Sequence, residues 1–213
     1  MTTMAIIGII GGIICSVADL FLDLKGKNNE KLGKMGEIDS KWCEMPHYRF
    51  VVSTILAMFA VPMYSCGFIA LMGRLFETHR TPAIVFTVIF LCGAMGGFMI
   101  HTFLCMMPTI FSRICKKGDK ELAIEVVDLA FKQIYFPFFT LYIMLVIIPA
   151  IAVMVMIITG ALDLPMWCVI LNPIVFQVIG LLLRATKLDI FIDAPSCCAA
   201  SLGLAMYGVL ALL

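Results

Sequence analysis

Six apolar stretches, each close to the length of a membrane-spanning helix, constrain the fold of this chain more than any other feature. They lie at about residues 4–24, 50–73, 82–107, 134–160, 166–185 and 195–213. A helix needs roughly 20 mostly apolar residues to cross a bilayer. A chain of 213 residues is too short to bury so many long apolar runs in a soluble core. The sequence therefore predicts an all-α fold: one polytopic membrane domain over residues 1–213, built as a bundle of six transmembrane helices.

The composition agrees with this prediction and narrows the expected partners. The chain is 62% hydrophobic and 14% charged, whereas soluble domains are about half apolar and about one quarter charged. Its net charge is only +1, and it has no basic stripe with interleaved aromatic residues, which argues against nucleic acid as a partner. We expect membrane lipids as partners and make no prediction of oligomeric state.

The basic residues predict the orientation of the bundle. Thirteen of the fifteen Lys and Arg residues lie in the segments after the first, third and fifth spans, and only Arg74 and Arg80 lie at the other side. The positive-inside rule places the side with thirteen in the cytoplasm, so both termini are expected outside. The first span lacks a basic n-region and a cleavage site, which predicts a retained helix.

Two segments outside the spans have distinct patterns. The cytoplasmic loop 25–49 is polar and rich in glycine, which favours a flexible connector, with a lid over a site as the alternative. In residues 119–133, acidic and basic side chains recur at helical spacing opposite an apolar face. This pattern predicts a short cytoplasmic amphipathic helix that leads into the fourth span.

The motifs of several enzyme classes are missing. The nine cysteines form no Cys-x-x-Cys pair and no zinc spacing, and neighbouring Cys197 and Cys198 would point in different directions on a helix. The serines have no nucleophile-elbow context, and no Walker or dinucleotide fingerprint is present. Free packed thiols are therefore favoured over a redox couple, no metal site is predicted, and the sequence identifies no cofactor.

Polar residues inside two spans share helix faces. In the first span Gly8, Gly12 and Ser16 lead along one face to Asp19 and Asp23. In the third span, glycines at positions 93 and 97 lead at successive i+4 spacings to histidine 101, in the cytoplasmic half. Both faces are expected to look into the bundle.

The fifth span and the connector after it add further polar groups. Asn172 precedes Pro173, which frees a backbone carbonyl, and Gln177 and Arg184 follow at helical spacing. The connector then contributes two carboxylates before the sixth span. The residues expected to meet at one cytoplasmic level are Asp19, Asp23, His101, Arg184, Asp189 and Asp193.

Three interpretations of this cluster remain open. In the first, Asp19 and His101 act as catalytic acid and base, since histidine can give or take a proton near neutral pH. The substrate-binding residues would then be Asp23, Asn172, Gln177, Arg184 and Asp193, with Arg184 holding an anionic group. In the second, Asp19 pairs with Arg184 or His101 only to fix helix register, while Asp23 and Asp193 cap helix ends.

The third interpretation rests on carboxylates one turn apart. Asp19 with Asp23, and Asp189 with Asp193, would bind a magnesium–diphosphate group. His47 would lie at the same surface and could join a metal site, although chance proximity is the favoured explanation.

Short motifs along the chain resemble those of a known family. They are Ala18-Asp19-Leu20-Phe21-Leu22, Gly96-Gly97 before His101, Asn172-Pro173, Pro165-Met166-Trp167 and Asp193-Ala194-Pro195. The chain resembles a prokaryotic family of small multi-helix integral membrane proteins of unknown function, with Ala18 in place of a family glycine. The resemblance implies the multi-helix fold and a multi-pass location in a prokaryotic cytoplasmic (inner) membrane, and it implies no activity.

Three functional classes follow. The leading hypothesis is an enzyme acting on a lipid or other hydrophobic small molecule in a cavity open to the cytoplasmic side. The first alternative is a small, proton-coupled transporter whose helices bend at Pro62, Pro149 and Pro173. The second is a structural or regulatory subunit that packs a partner helix on Gly93 and Gly97. An enzyme tolerates a cavity closed at one end, whereas a transporter needs access from both sides.

Overall fold

The computed structural model describes residues 1–188, 191 and 193–213, so predicted site residue Asp189 lies outside the described residues. The α-helices are α1 Thr2–Asp23, α2 Tyr48–Phe76, α3 Arg80–Cys115, α4 Lys120–Tyr142, α5 Ile148–Ile158, α6 Pro173–Ala185 and α7 Ala194–Leu212. A two-stranded antiparallel sheet pairs β1, Lys31–Leu32, with β2, Ile38–Asp39. Shorter helical segments are the 3-10 helices Ser40–Cys43 and Met166–Ile170 and the π-helix Ile143–Ile147.

Five helical runs in the described part of the chain are long and apolar enough to cross a membrane. They are Thr2–Asp23, Tyr48–Phe76, Arg80–Cys115, Lys120–Ile158 and Pro195–Leu212. The predicted all-α polytopic bundle is confirmed, and several spans of this kind indicate a multi-pass membrane protein. We call the end of the bundle where α1, α3 and α6 end and α2, α4 and α7 begin the basic end, because it carries the thirteen basic residues.

The predicted fifth span, 166–185, is not one continuous helix. The 3-10 helix Met166–Ile170 is followed by a turn, and α6 has only 13 residues, about 20 Å of helix against a hydrocarbon thickness of about 30 Å. The break lies at Asn172, whose Oδ1 accepts the first free N–H groups of α6 and whose Nδ2 donates to the Val169 carbonyl at 2.6 Å. Pro173 then occupies the first helical position, where its missing N–H costs nothing.

Small residues let α1 lie close to both α2 and α7, the two helices against which it packs most extensively. Gly8 lies against the backbone of Gly67, and Gly12 lies against Ala205, so a side chain at either glycine would overlap a neighbouring backbone. Ser16, on the same face, is also buried. The predicted inward-facing stripe of α1 is thus the surface on which the bundle is assembled.

The loop at the basic end is packed against the helices, so the expectation of a flexible connector is wrong. Ile38, Trp42 and Met45 are buried in one apolar cluster with Phe111 of α3 and with the first turns of α4. The Trp42 and Phe111 rings meet edge to face with centroids 5.9 Å apart, an arrangement that adds to burial. We call residues 25–47 the docked loop.

The predicted amphipathic helix 119–133 is the first part of α4 and supplies the surface for the docked loop. Asp119 caps it by accepting the Leu122 N–H at 2.9 Å, as helix-starting aspartates do. Ala123 and Val127 on one face are buried against the loop. The helix is the start of the long apolar run Lys120–Ile158, into which the sequence predicts that it leads.

Ion pairs join the end of α1 to the docked loop. Lys25 Nζ lies 2.9 Å from Asp23 and 2.7 Å from Asp39, and Lys31 Nζ lies 2.8 Å from Asp39. Burial alone would raise the pKa of Asp39, but hydrogen bonds from Lys25 and Lys31 outweigh burial and hold that pKa below its usual range. Asp39 therefore stays ionised at neutral pH, and the loop stays anchored at this point.

A second acidic contact is pH-sensitive. Burial, together with the neighbouring Asp128 of α4, raises the pKa of Glu37 to about 7. Since the pKa is raised on docking, this contact stabilises the loop fully below the ordinary pKa of Glu, about 4.3, and loses its effect as pH rises through about 7. We expect amide-exchange protection of residues 31–39, corrected for intrinsic rates, to fall between pH 6 and pH 8.

Two matched variants separate the titration of Glu37 from the loss of any one negative charge in the loop. Glu37→Gln keeps a hydrogen-bonding group that does not ionise, so protection should become independent of pH. Glu30→Gln, at an exposed position of the same loop, should behave like wild type. Equal pH dependence in Glu37→Gln and wild type would contradict the assignment.

Candidate functional site

A cavity of about 280 Å³ lies in the half of the bundle nearer the basic end. Its walls come from α1, α2, α3, α4 with the π-helix, α6 and α7, and most of them are apolar. The polar side chains that line it are Cys15, Asp19, Asp23, Tyr64, His101, Tyr142, Gln177, Ser196, Cys197 and Ser201. It is a small cavity by the standards of ligand sites, which begin at about 300 Å³.

Asp19 and His101 face each other across this cavity. Asp19 Oδ1 lies 3.8 Å from His101 Nδ1, and the two side chains are 19% and 14% exposed. The second carboxylate oxygen, Oδ2, accepts a hydrogen bond from Ser201 of α7 at 2.5 Å. The structure therefore brings together the two residues predicted as acid and base, and it adds a hydroxyl that holds the carboxylate.

A second hydroxyl fixes the histidine ring. Ser53 Oγ lies 2.9 Å from His101 Nε2 and donates its single proton to the Ala18 carbonyl at 2.8 Å. The hydroxyl must then accept from the ring, so Nε2 carries a proton and Nδ1 of the neutral ring has a lone pair directed toward Asp19. At 3.8 Å, both acceptors are within hydrogen-bonding reach of a proton-bearing group placed beside them in the cavity.

Ser53, His101 and Asp19 have the order of a hydrolase triad, but their geometry does not suit nucleophilic catalysis. The Ser53 side chain is fully buried at 0% exposure, does not line the cavity, and directs its proton to a carbonyl oxygen. A triad serine instead donates to the histidine and faces the substrate. Ser53 is therefore a positioning residue for the ring.

Sequence reasoning missed both positioning hydroxyls. Ser53 and Ser201 are among the serines without a nucleophile-elbow context, and the sequence gives no partner for either hydroxyl. The available signal was that each is a serine within an apolar span, where a hydroxyl must find a hydrogen-bond partner. Ser16 shows that this signal is ambiguous, because it donates to Gly12 of its own helix at 2.8 Å.

Two of the predicted substrate-binding residues line the cavity. Asp23 lies toward its basic end, where it also forms the ion pair with Lys25. Gln177 of α6 accepts a hydrogen bond from the Tyr142 hydroxyl at 3.3 Å through Oε1. These two residues and Tyr142 can provide polar contacts on either side of the Asp19–His101 pair.

The other three predicted substrate-binding residues are placed elsewhere. Arg184 is exposed and does not line the cavity, and Asp19 contacts Ser201 and His101 instead of this arginine. Asn172 is 1% exposed and caps α6. Asp193 accepts the backbone N–H of Lys25 at 3.0 Å, which joins the start of α7 to the docked loop.

The positions of the carboxylates weaken the magnesium–diphosphate interpretation. Only Asp19 and Asp23 of the two proposed pairs line the cavity among the described residues, and the part of the chain that the structure describes contains no group of three or more His, Cys, Asp or Glu residues arranged to hold a metal ion. His47 lies apart, with Nδ1 3.1 Å from Thr109 Oγ1.

Beyond the cavity, away from the basic end, an aromatic cluster fills the bundle. The Phe68 and Phe90 rings stack with centroids 4.1 Å apart, and Tyr207 meets Phe68 edge to face at 5.0 Å. Tyr64, which lines the cavity, contacts Phe90 at 6.1 Å. All four side chains are at most 2% exposed, so the cavity is closed on this side.

One wall of the cavity is irregular. The π-helix Ile143–Ile147 interrupts the run from α4 to α5, and its Leu145 and Val146 line the cavity. Gly93 of α3 lies directly against the backbone of Leu145, so a side chain at position 93 would overlap it. Single π-helical turns inside α-helices are frequent at functional sites, and here the glycine stripe of α3 holds one against the cavity.

The chain belongs to the Family of unknown function (DUF6796), whose model matches residues 1–213. The resemblance noted from the sequence motifs, to a family of unknown function, is confirmed by this match. No curated protein and no solved structure matches the chain significantly.

The Ser201–Asp19 contact is expected to stabilise the bundle measurably. A hydrogen bond to a buried carboxylate contributes about 1 to 2 kcal/mol after allowance for competing partners in the membrane. A double-mutant cycle with Ser201→Ala and Asp19→Asn, followed by unfolding in mixed micelles, should give a coupling energy of that size. Ser65→Ala is the control, because Ser65 donates to Val61 of its own helix at 2.8 Å, and its coupling to Asp19 should be near zero.

Proposed function

We propose that this member of the family is a membrane enzyme that activates a hydroxyl group of an amphipathic molecule by general-base catalysis. The observation that carries the proposal is the Asp19–His101 pair, held 3.8 Å apart in a largely apolar cavity by a separate hydroxyl on each partner. Positioned titratable pairs in clefts are typical of catalytic sites, although purely structural pairs also occur.

The hydrogen bonds assign distinct roles to the two residues. Ser53 accepts from Nε2, which leaves Nδ1 of His101 as the base for a proton from a hydroxyl group placed beside it. The Asp19 carboxylate, 3.8 Å away, would stabilise the imidazolium that forms. Ser201 would hold that carboxylate in place throughout, because it contacts the oxygen that faces away from the ring.

The cavity walls support an amphipathic substrate. Apolar side chains of α2, α3, α4, the π-helix and α7 form about half of the lining residues and suit a hydrocarbon body. Asp23, Gln177 and Tyr142 provide the few polar contacts. Entry from the basic end, on the side that the positive-inside rule assigns to the cytoplasm, is favoured because the aromatic cluster closes the opposite side.

The catalytic test compares site variants with matched controls at equal folded yield. His101→Gln keeps an amide near Ser53 but removes the Nδ1 base, and Asp19→Asn removes the carboxylate charge. The assay uses mass spectrometry to follow the conversion of a component of a total polar lipid extract. Each of these two substitutions should slow the conversion by roughly 10²- to 10⁴-fold. His79→Gln and Asp163→Asn make the same changes at exposed positions at the other end of the bundle, and they should convert lipid at the wild-type rate.

Native mass spectrometry of the purified protein supplies a readout that does not need turnover. A retained amphiphile that is lost in Asp19→Asn and His101→Gln, but kept in the two controls, would support binding at this site. Identical lipid conversion and identical retained molecules in all five proteins would sink the catalytic proposal.

A proton-coupled transporter is the second candidate, and the π-helix in the cavity wall is the observation that favours it. A wall of this kind can change register and so alter access to the cavity. The rival functions differ in which side reaches Cys197, which lines the cavity. A membrane-impermeant maleimide should label Cys197 only from the basic end if the protein is an enzyme, whereas labelling from both sides of oriented vesicles would favour the transporter.

A further inference from the structure

Two neighbouring cavities lie on the α2–α3 face of the bundle, away from the proposed catalytic site. One is polar, about 410 Å³ in volume, and lies at the basic end. The other is apolar, about 170 Å³ in volume. They share His47, Phe50 and Thr109 as lining residues, and no residue of either lines the Asp19–His101 cavity.

The polar cavity has an excess of positive charge. Arg113 and Lys116 lie one turn apart at the end of α3, both are exposed, and neither forms a salt bridge with a carboxylate in the described part of the chain. The acidic residue of the wall, Glu44, is paired with Lys41 at 2.9 Å. The hydroxyls of Thr109 and Ser112 add hydrogen-bonding groups to the same wall, so the cavity suits an anion with several acceptor oxygens.

The apolar cavity is a groove that continues from the polar one along α2 and α3. Val51 and Met106 form its outer edges and are 43% and 52% exposed on the surface of the bundle. The Thr54 hydroxyl donates to the Phe50 carbonyl of its own helix at 3.0 Å, so this residue presents mainly carbon to the groove. The shape and polarity suit a hydrocarbon chain that lies against the protein surface.

We infer that these two cavities form a single binding site for an anionic glycerophospholipid. Its phosphate contacts Arg113 and Lys116, and one acyl chain lies in the groove edged by Val51 and Met106. Basic pockets between transmembrane helices at the cytoplasmic side bind anionic lipid headgroups, and guanidinium groups match phosphate oxygens well. The cationic cavity is continuous with an apolar groove. This favours a lipid over a free anion, because a free anion would leave the groove unused.

The proposed lipid site also lies close to Ser53, on the side of that residue away from the Asp19–His101 cavity. Cys105, at the floor of the groove, has its Sγ 3.5 Å from the Ser53 oxygen, and Ser53 is the residue that positions His101. A lipid in the groove therefore packs one side chain away from the Ser53–His101 contact. The proposed lipid site stands whichever reaction the other cavity performs, because the two share no lining residue.

The charge test uses native mass spectrometry of protein incubated with equal amounts of phosphatidylglycerol and phosphatidylcholine of identical acyl chains. Wild type should retain phosphatidylglycerol preferentially, and Arg113→Gln with Lys116→Gln should weaken that preference by roughly ten- to thirty-fold. Lys117→Gln with Lys120→Gln removes the same charge from neighbouring positions that do not line the cavity, and it should keep the preference. Equal preference in the two double variants would overturn the site.

The groove test separates a lipid from a free anion. Val51→Trp fills the groove and should reduce phosphatidylglycerol retention several-fold, whereas Val155→Trp, at a similarly exposed position of α5, should not. Thermal unfolding in detergent confirms that each variant is folded. Unchanged retention in Val51→Trp, together with displacement of the bound lipid by inorganic phosphate, would assign the cavity to a free anion and overturn the proposal.

Discussion

The need to satisfy a carboxylate inside an apolar bundle governs the rest of this structure. A charged side chain at membrane depth costs something like 2.5 to 3.5 kcal/mol on insertion scales, so Asp19 requires partners. Ser201 reaches it from α7 and His101 faces it from α3, while Ser53 of α2 fixes the ring. One carboxylate thereby sets the relative rotation of four helices, because a turn of any of them would leave a buried polar group without its partner.

The two sides of the cavity differ in how closely and regularly their helices pack. Gly8 and Gly12 let α1 pack tightly on α2 and α7, so Asp19 and Ser201 lie on closely packed helices. Across the cavity, the wall formed by α4 is less regular, since it contains a π-helical turn and is seated on Gly93 of α3.

The sequence was informative where a pattern repeats along one helix and uninformative about where a helix begins, breaks or ends. The stripes of α1 and α3 were sufficient to predict that Asp19 and His101 meet. Arg184 shares a helix face with Gln177, which lines the cavity, but it lies in the last turn of α6, where it is exposed and does not line the cavity. The sequence also did not predict that α6 begins only after a break at Asn172. Hydropathy averaged over a window cannot detect such a break, because the residues on either side of it are equally apolar.

The prediction of a flexible connector for the docked loop was wrong for a different reason. Its glycines and charged residues are typical of a flexible connector, and its packing depends on contacts with residues far along the chain, such as that of Trp42 with Phe111. Glu37 and Asp39 illustrate the same limit, since their charges depend on Asp128 and Lys25 respectively. Local composition therefore indicates how this segment would behave in isolation. Its folded conformation depends on contacts with other elements.

The closed side of the cavity bears most directly on function. Phe68 and Phe90 stack against each other, Tyr207 packs on their edge, and Tyr64 separates them from the Asp19–His101 level. Opening a path through this cluster requires separation of α2, α3 and α7, yet α2 and α7 are both packed tightly on α1. A transporter would have to break the best-packed part of the bundle in each cycle, whereas a cavity reached only from the basic end leaves that packing intact. The tight packing of α2 and α7 on α1 therefore favours the proposed enzyme over the transporter.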